Sequence, residues 1–145
     1  IMSTVFNCDV IELKKNKQKV GSSTSVESEM SFPFQIKRVY YIYDVPGGSD
    51  RGGHAHKELE QYIIATSGAF EIVLDDGKNR KTIRLDRPNF ALHIRKGIWR
   101  ETKNFTSGSI CMVLASEVYA ESDYIYDYKE FLKYKNEGLN NFSRK

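Results

Sequence analysis

Cysteine is scarce in this chain: Cys8 and Cys111 are the only two, far apart and in no CxxC spacing. That excludes a disulfide framework and a cysteine-type structural zinc site, and it leaves buried or idle thiols. Missing as well is any apolar run near the roughly 20 residues a membrane helix needs. The opening residues lack the basic, apolar, small-residue order of a secretion signal. A cytoplasmic protein with no membrane partner is the expectation that follows. Charge of one sign is also lacking. The 22 lysines and arginines are mixed with 19 aspartates and glutamates along the chain, for a net charge of +3. Such a balance carries no nucleic-acid footprint, and a small anionic ligand suits it better than a polyanion. No internal repeat or linker divides the chain, so it reads as one domain over 2–145, with Ile1 ahead of Met2 set aside as foreign to the natural start.

What the chain does have is apolar and aromatic content, 40% and 12% of its residues, enough at this length to fold alone around a ligand cavity. From Phe34 to Val45 the β-branched and aromatic run FQIKRVYYIYDV ends at Pro46-Gly47-Gly48 and reads as a strand running into a turn. Alternation puts Ile36, Arg38, Tyr40 and Ile42 on one face, and Lys37, Val39, Tyr41 and Tyr43 on the other. Further strands are predicted at Tyr62 to Thr66, Ala69 to Leu74, Thr82 to Leu85, Ala91 to Ile94 and Ser109 to Ser116, with Ser67-Gly68 and Asp75-Asp76-Gly77 as turns. This spacing predicts an all-β antiparallel sandwich or barrel. Only the tail departs from it: Tyr124, Tyr128, Phe131 and Tyr134 recur at helical steps, which predicts one short C-terminal helix over Asp123 to Tyr134. The basic stretch Lys14 to Lys19 reads as solvated surface, and the serine-rich stretch after it as loop.

Two of the three histidines sit together, at His54 and His56 in RGGHAHKELEQ. On an extended strand both rings project to one side, and Glu60 shares their parity. Gly48 lies six residues before His54 and Gly68 eight after Glu60, a spacing close to the first sequence motif of the cupins. The second cupin motif is met in part, by Gly97 and Asn104; its proline is replaced by Arg95 and its histidine by Arg100. A guanidinium cannot coordinate a cation, so Arg100 argues for catalysis without metal. His54, His56 and Glu60 could still form a two-histidine, one-carboxylate set for Fe(II), and that reading stays open here. His93, alone on its strand, reads as structural. Trp99 is either a wall of the cavity or part of the core.

The strings IKRVYYIYD, RGGHAHKELEQ, VLDDG and MVLASEVYAESDYI closely resemble the cupin-fold 3,4-ketoisomerases that act on dTDP-4-keto-6-deoxyglucose. The likeness spans about Phe34 to Tyr134. It implies a cupin, or jelly-roll, antiparallel β-barrel, a homodimer with exchanged N-terminal strands, no cofactor, and a route to 3-amino-3,6-dideoxy sugars. In such an enzyme His54 is the candidate base, because an imidazole accepts and returns a proton near neutral pH. His56 is the second member of the pair, and the Tyr40 phenol suits proton traffic between neighbouring oxygens. Arg38 and Arg51 are the candidate pyrophosphate contacts, since the guanidinium fork matches phosphate oxygens. Glu60, Trp99 and Arg100 complete the expected substrate contacts. An arginine at the position of Arg100 resembles the members that form the gluco product. The rival readings are a metal-dependent cupin, an epimerase of a related dTDP-sugar pathway, and a sugar-nucleotide-binding cupin without chemistry.

Overall fold

The structure is a computed structural model that describes residues 3–28 and 31–143. Among the described residues, twelve strands and one α-helix follow in order: β1 Val10–Glu12, β2 Asn16–Gln18, β3 Gly21–Ser23, β4 Arg38–Ile42, β5 Arg51–His56, β6 Gln61–Ser67, β7 Phe70–Asp75, β8 Arg80–Leu85, β9 Phe90–Ile94, β10 Trp99–Lys103, β11 Ile110–Ala115, β12 Tyr124–Ile125 and α1 Tyr128–Ser143. A five-stranded antiparallel sheet has the order β1-β9-β6-β11-β4, a second has the order β12-β5-β10-β7-β8, and β2 pairs only with β3. The fold is all-β, as the strand spacing implied. Hydrogen bonding does not close the two sheets into a barrel, however, and each keeps its own edges.

Strand parity decides what each face of the first sheet does. Tyr40 on β4 pairs with Val113, which pairs with Ile63, which pairs with Leu92, so one row of side chains crosses all four strands on the inner face. The next row, Val39, Leu114, Tyr62 and His93, lies on the outer face. Between the sheets the inner rows bury Phe70, Ile72, Leu74, Leu85, Leu92 and Phe105 in one apolar cluster. The outer face is covered in part by Leu13, Phe32, Phe34 and Ile36, where Phe32 stacks on Tyr62 at 3.8 Å between ring centroids.

The turn at Asp75-Asp76-Gly77 forms as its residues require. Gly77 adopts φ +92°, its N–H donates to Asp75 Oδ1 at 2.7 Å, and Asp76 Oδ1 accepts from the N–H groups of Lys78 and Asn79. The C-terminal helix differs from the expectation of Asp123 to Tyr134. Asp123 closes a short 3-10 turn, Tyr124 and Ile125 pair with His56 and Ala55 on β5, and the helix starts only at Tyr128. Asp127 caps it, its carboxylate accepting from the Lys129 N–H at 2.8 Å. Helical spacing in the tyrosines was therefore real from Tyr128 onward, while sheet pairing claims the residues before it. The helix packs Phe131 against Ala55, Trp99 and Ile125 on the outer face of the second sheet. Trp99 is therefore core beneath the helix, facing away from the space between the sheets. Gly53 is the residue that admits it: a Cβ there would lie 2.6 Å from the indole ring.

Candidate active site

Where the apolar core ends, the two sheets enclose a cavity of about 650 Å³. Each of the flanking strands contributes inward side chains. β4 provides Arg38 and Tyr40, β5 provides Arg51 and His54, β6 provides Gln61, and β10 provides Arg100. Register explains the convergence, because Arg100 pairs with His54 across β10 and β5, and an irregularity in that pairing sets Thr102 opposite Arg51. Tyr124 and Tyr126, at and just beyond β12, complete the wall.

The polar groups here are incompletely matched by protein. Among the described residues the buried side-chain atoms without a hydrogen-bond partner are Arg38 Nη1, His54 Nε2, His56 Nε2, Gln61 Oε1 and Arg100 Nη1. All but His56 belong to residues that line the cavity. Burying polar atoms unpaired is costly, and their concentration in one place marks the site of a polar ligand.

Arg100 governs the electrostatics. Fully buried, it donates from Nε and Nη2 to the Ile98 carbonyl at 3.3 and 2.9 Å, and burial draws its pKa down to about 10, which leaves it cationic at neutral pH. Burial first, and then the Arg100 charge, holds His54 well below the usual histidine range. His56 is held down likewise by burial, Arg100 and Arg38. Both imidazoles are neutral in the resting protein. Burial also raises the Tyr40 phenol, against the pull of Arg100 and Arg38, so it remains protonated. The Arg38 guanidinium lies 4.4 Å from the centre of the Tyr40 ring.

Asp123 is a member of this cluster that sequence reasoning missed. Its Oδ2 lies 3.0 Å from His56 Nδ1, and the carboxylate also accepts from the N–H groups of Glu58 at 2.7 Å and Leu59 at 3.3 Å. A carboxylate can only accept, so Nδ1 carries the proton and Nε2 presents its lone pair. The two residues are 67 positions apart, and no spacing rule connects them.

Two expected contacts lie elsewhere. Glu60 does not join the histidines, because β5 ends at His56 and the chain turns before β6 begins. The parity of β6 then places Glu60 with Tyr62 on the outer face, where its Oε1 meets His93 Nε2 at 2.7 Å and the Tyr62 ring stacks on His93. The two-histidine, one-carboxylate set is thus unassembled, and no group of three metal-ligating side chains occurs among the described residues. Trp99 faces α1, as described. His54, Arg38, Tyr40, Arg51 and Arg100 do share the cavity, with His56 packed against His54 at 5.0 Å between ring centres.

A family model described as FdtA: WxcM-like, C-terminal matches residues 6–136. The TDP-4-oxo-6-deoxy-alpha-D-glucose-3,4-oxoisomerase of Aneurinibacillus thermoaerophilus is 44% identical over 125 residues, which cover 86% of this chain and 90% of that enzyme. A 3,4-ketoisomerase from Helicobacter canadensis superposes with a TM-score of 0.87 at 47% identity, covering 90% of this chain and 98% of the other. The TDP-quinovose 3,4-ketoisomerase WlaRB of Campylobacter jejuni gives 0.84 at 46% identity, with 88% and 98% covered.

Proposed function

The chain belongs to the FdtA family, WxcM-like C-terminal, and is an isomerase; from that premise we propose that it converts dTDP-4-keto-6-deoxyglucose into the 3-keto-6-deoxy isomer of gluco configuration, as a step toward 3-amino-3,6-dideoxy sugars. The observation that carries this reading is the set of unpaired polar atoms on Arg38, His54, Gln61 and Arg100 around one cavity. A sugar ring with adjacent carbonyl and hydroxyl oxygens supplies the partners these atoms need.

The chemistry requires no more than proton transfer. His54, neutral and facing the cavity, takes the C3 proton, and the electrons of that C–H bond form the C3=C4 double bond while the C4 carbonyl becomes an enediolate oxygen. The Arg100 charge stabilises that oxygen, being fixed in place before reaction. Tyr40 passes the O3 proton to O4, and the imidazolium at His54 returns its proton to C4, leaving a ketone at C3. Overall no atom is gained or lost. His56, held through Asp123, supports His54 from behind. Arg38 and Arg51 take the pyrophosphate. The guanidinium of Arg100 is too weak an acid to deliver a proton itself, so the face of C4 that receives it follows from where His54 and Tyr40 stand. The gluco assignment is supported by Arg100 and by the likeness to an enzyme named a TDP-quinovose 3,4-ketoisomerase, quinovose being 6-deoxyglucose.

In this reading the enzyme is a cytoplasmic homodimer with exchanged N-terminal strands and uses no cofactor or metal. The β2–β3 hairpin joins neither large sheet, Val20 at its tip is 95% exposed, and β4 is a sheet edge whose outward Tyr41 and Tyr43 are exposed. These features suit a hairpin that pairs with a second copy.

Incubation with dTDP-4-keto-6-deoxyglucose and NMR of the fresh product tests the proposal, in chelator-treated buffer. A C3 ketone with a large trans-diaxial H4–H5 coupling is expected. A small coupling would reverse the assigned face, an unmoved ketone with an inverted centre would make the protein an epimerase, and activity restored only by Fe(II) would restore the metal reading.

A further inference from the structure

We propose that Tyr119, in the segment joining β11 to β12, is a positioning residue for Arg38, holding that guanidinium against the cavity with its charge and donors free for an anion. The inference rests on the nucleotide-sugar reading above, in which Arg38 meets the pyrophosphate.

The surroundings of Arg38 are unlike those of the other cation set on a strand beside a carboxylate. Arg80 pairs with Asp75 at 2.9 Å. Arg38 forms no ion pair among the described residues, and its Nη1 is buried without a hydrogen-bond partner. What it meets is aromatic: Cζ lies over the Tyr40 ring, 4.4 Å from the centroid, and over the Tyr119 ring at 5.2 Å.

That choice of partner has a chemical consequence. A ring face attracts a guanidinium through its negative quadrupole within about 6 Å, and it does so without occupying the N–H groups, which radiate in the guanidinium plane. A carboxylate would neutralise the charge and take up the donor fork. Aromatic contacts therefore hold the cation in place and leave it competent to bind phosphate oxygens.

Tyr40 reaches Arg38 from two residues along the same strand, whereas Tyr119 has to be brought to it. Register does this. Ala115, the last residue of β11, pairs with Arg38 itself, so the chain leaving β11 passes beside the arginine, and Tyr119 follows four residues later. The far end of its ring is tied down in turn: the hydroxyl donates to the Glu121 carboxylate, and the ring packs 5.6 Å from that of Tyr124. The same segment ends at Asp123, the acceptor for His56 Nδ1. One short stretch of chain thus carries both the ring that holds Arg38 and the carboxylate that holds the second histidine. Tyr119 is 57% exposed, so its removal disturbs little of the core and reports on Arg38.

The test is a double-mutant cycle read as equilibrium binding of TDP to the full chain and to its Tyr119→Ala, Tyr119→Phe, Arg38→Ala and Tyr119→Ala/Arg38→Ala variants. Tyr119→Ala is expected to weaken TDP by about 2- to 30-fold, and Tyr119→Phe, which keeps the ring, to bind as the parent does. Once Arg38 is gone, Tyr119→Ala should cost nothing further. The same loss with and without Arg38 would overturn the inference, because Tyr119 would then act by another route. Full TDP binding by Tyr119→Ala would also overturn it, as would equal losses in the Ala and Phe variants, which would trace the effect to the hydroxyl and Glu121. TDP binding unaffected by Arg38→Ala would remove Arg38 from the phosphate, and this inference with it. Unaltered protein that binds no TDP would instead remove the nucleotide-sugar reading itself.

Discussion

Neutrality is what the two clustered imidazoles have in common, and burial beside the Arg100 charge is its cause in both. They differ in their partners: among the described residues His54 Nε2 has none, whereas His56 donates a hydrogen bond from Nδ1 to the Asp123 carboxylate. Replacing His54 by asparagine keeps a polar side chain and removes the proton acceptor. Turnover should fall about 100- to 10,000-fold with the fold retained, and wild-type rates in a steady-state assay would take His54 out of the base's role. Asp123→Asn tests the second arrangement, because an amide can offer N–H as well as accept, and so ceases to dictate the His56 tautomer. A loss of about 100-fold or more in turnover is expected, together with a change of His56 tautomer in the 15N NMR spectrum of labelled histidine. A lower melting temperature with the tautomer intact would assign Asp123 a purely structural part. Residue by residue, the legible members of the site were those carried by local pattern: the HxH pair, and Arg38 with Tyr40 two apart on one strand face. Asp123 was illegible because its contact is made by folding across the whole domain.

For the elements, period two held wherever a strand ran unbroken and failed where a turn intervened. Counting from His56 to Glu60 assumed one continuous strand, but the chain turns between β5 and β6, and Glu60 takes its side from β6. Trp99 and Arg100 are adjacent on β10 and so face opposite ways, one into the helix packing and the other into the cavity. That β10 is a strand at all was not legible, since WRETK carries little β-branched or alternating apolar content. Its neighbours β5 and β7 hold it in place by pairing on both edges. The close approach of Trp99 to Gly53 makes that junction intolerant of volume. Gly53→Ala should cost roughly 1–3 kcal/mol in chemical denaturation, and because Gly53 directly precedes His54, turnover should fall as well. A variant as stable as the parent would show that the indole moves aside freely.

For the molecule as a whole, the two-sheet fold was legible from turn-separated strands and composition, but the open edges were not, because closure depends on which distant strands hydrogen-bond. Acid should expose the weakness of this architecture. Both clustered histidines titrate below their unfolded value of about 6.5, so the unfolded chain takes up protons first. Their contribution to stability is complete above that pH and is lost as the pH falls below it. The melting temperature should therefore begin to drop as the pH falls through about 6.5 and go on dropping toward about 2, and less steeply in a His54→Asn variant. An equal drop in both would place the acid-sensitive groups elsewhere.

The unmatched polar atoms of the cavity have a consequence beyond catalysis. A protein that folds around unsatisfied donors and acceptors is less stable empty than filled, and any molecule that satisfies them in the folded state alone shifts the balance toward that state by mass action. A molecule that fills the cavity should therefore raise the melting temperature as its concentration climbs past its Kd, and should slow proteolysis that draws on the unfolded fraction.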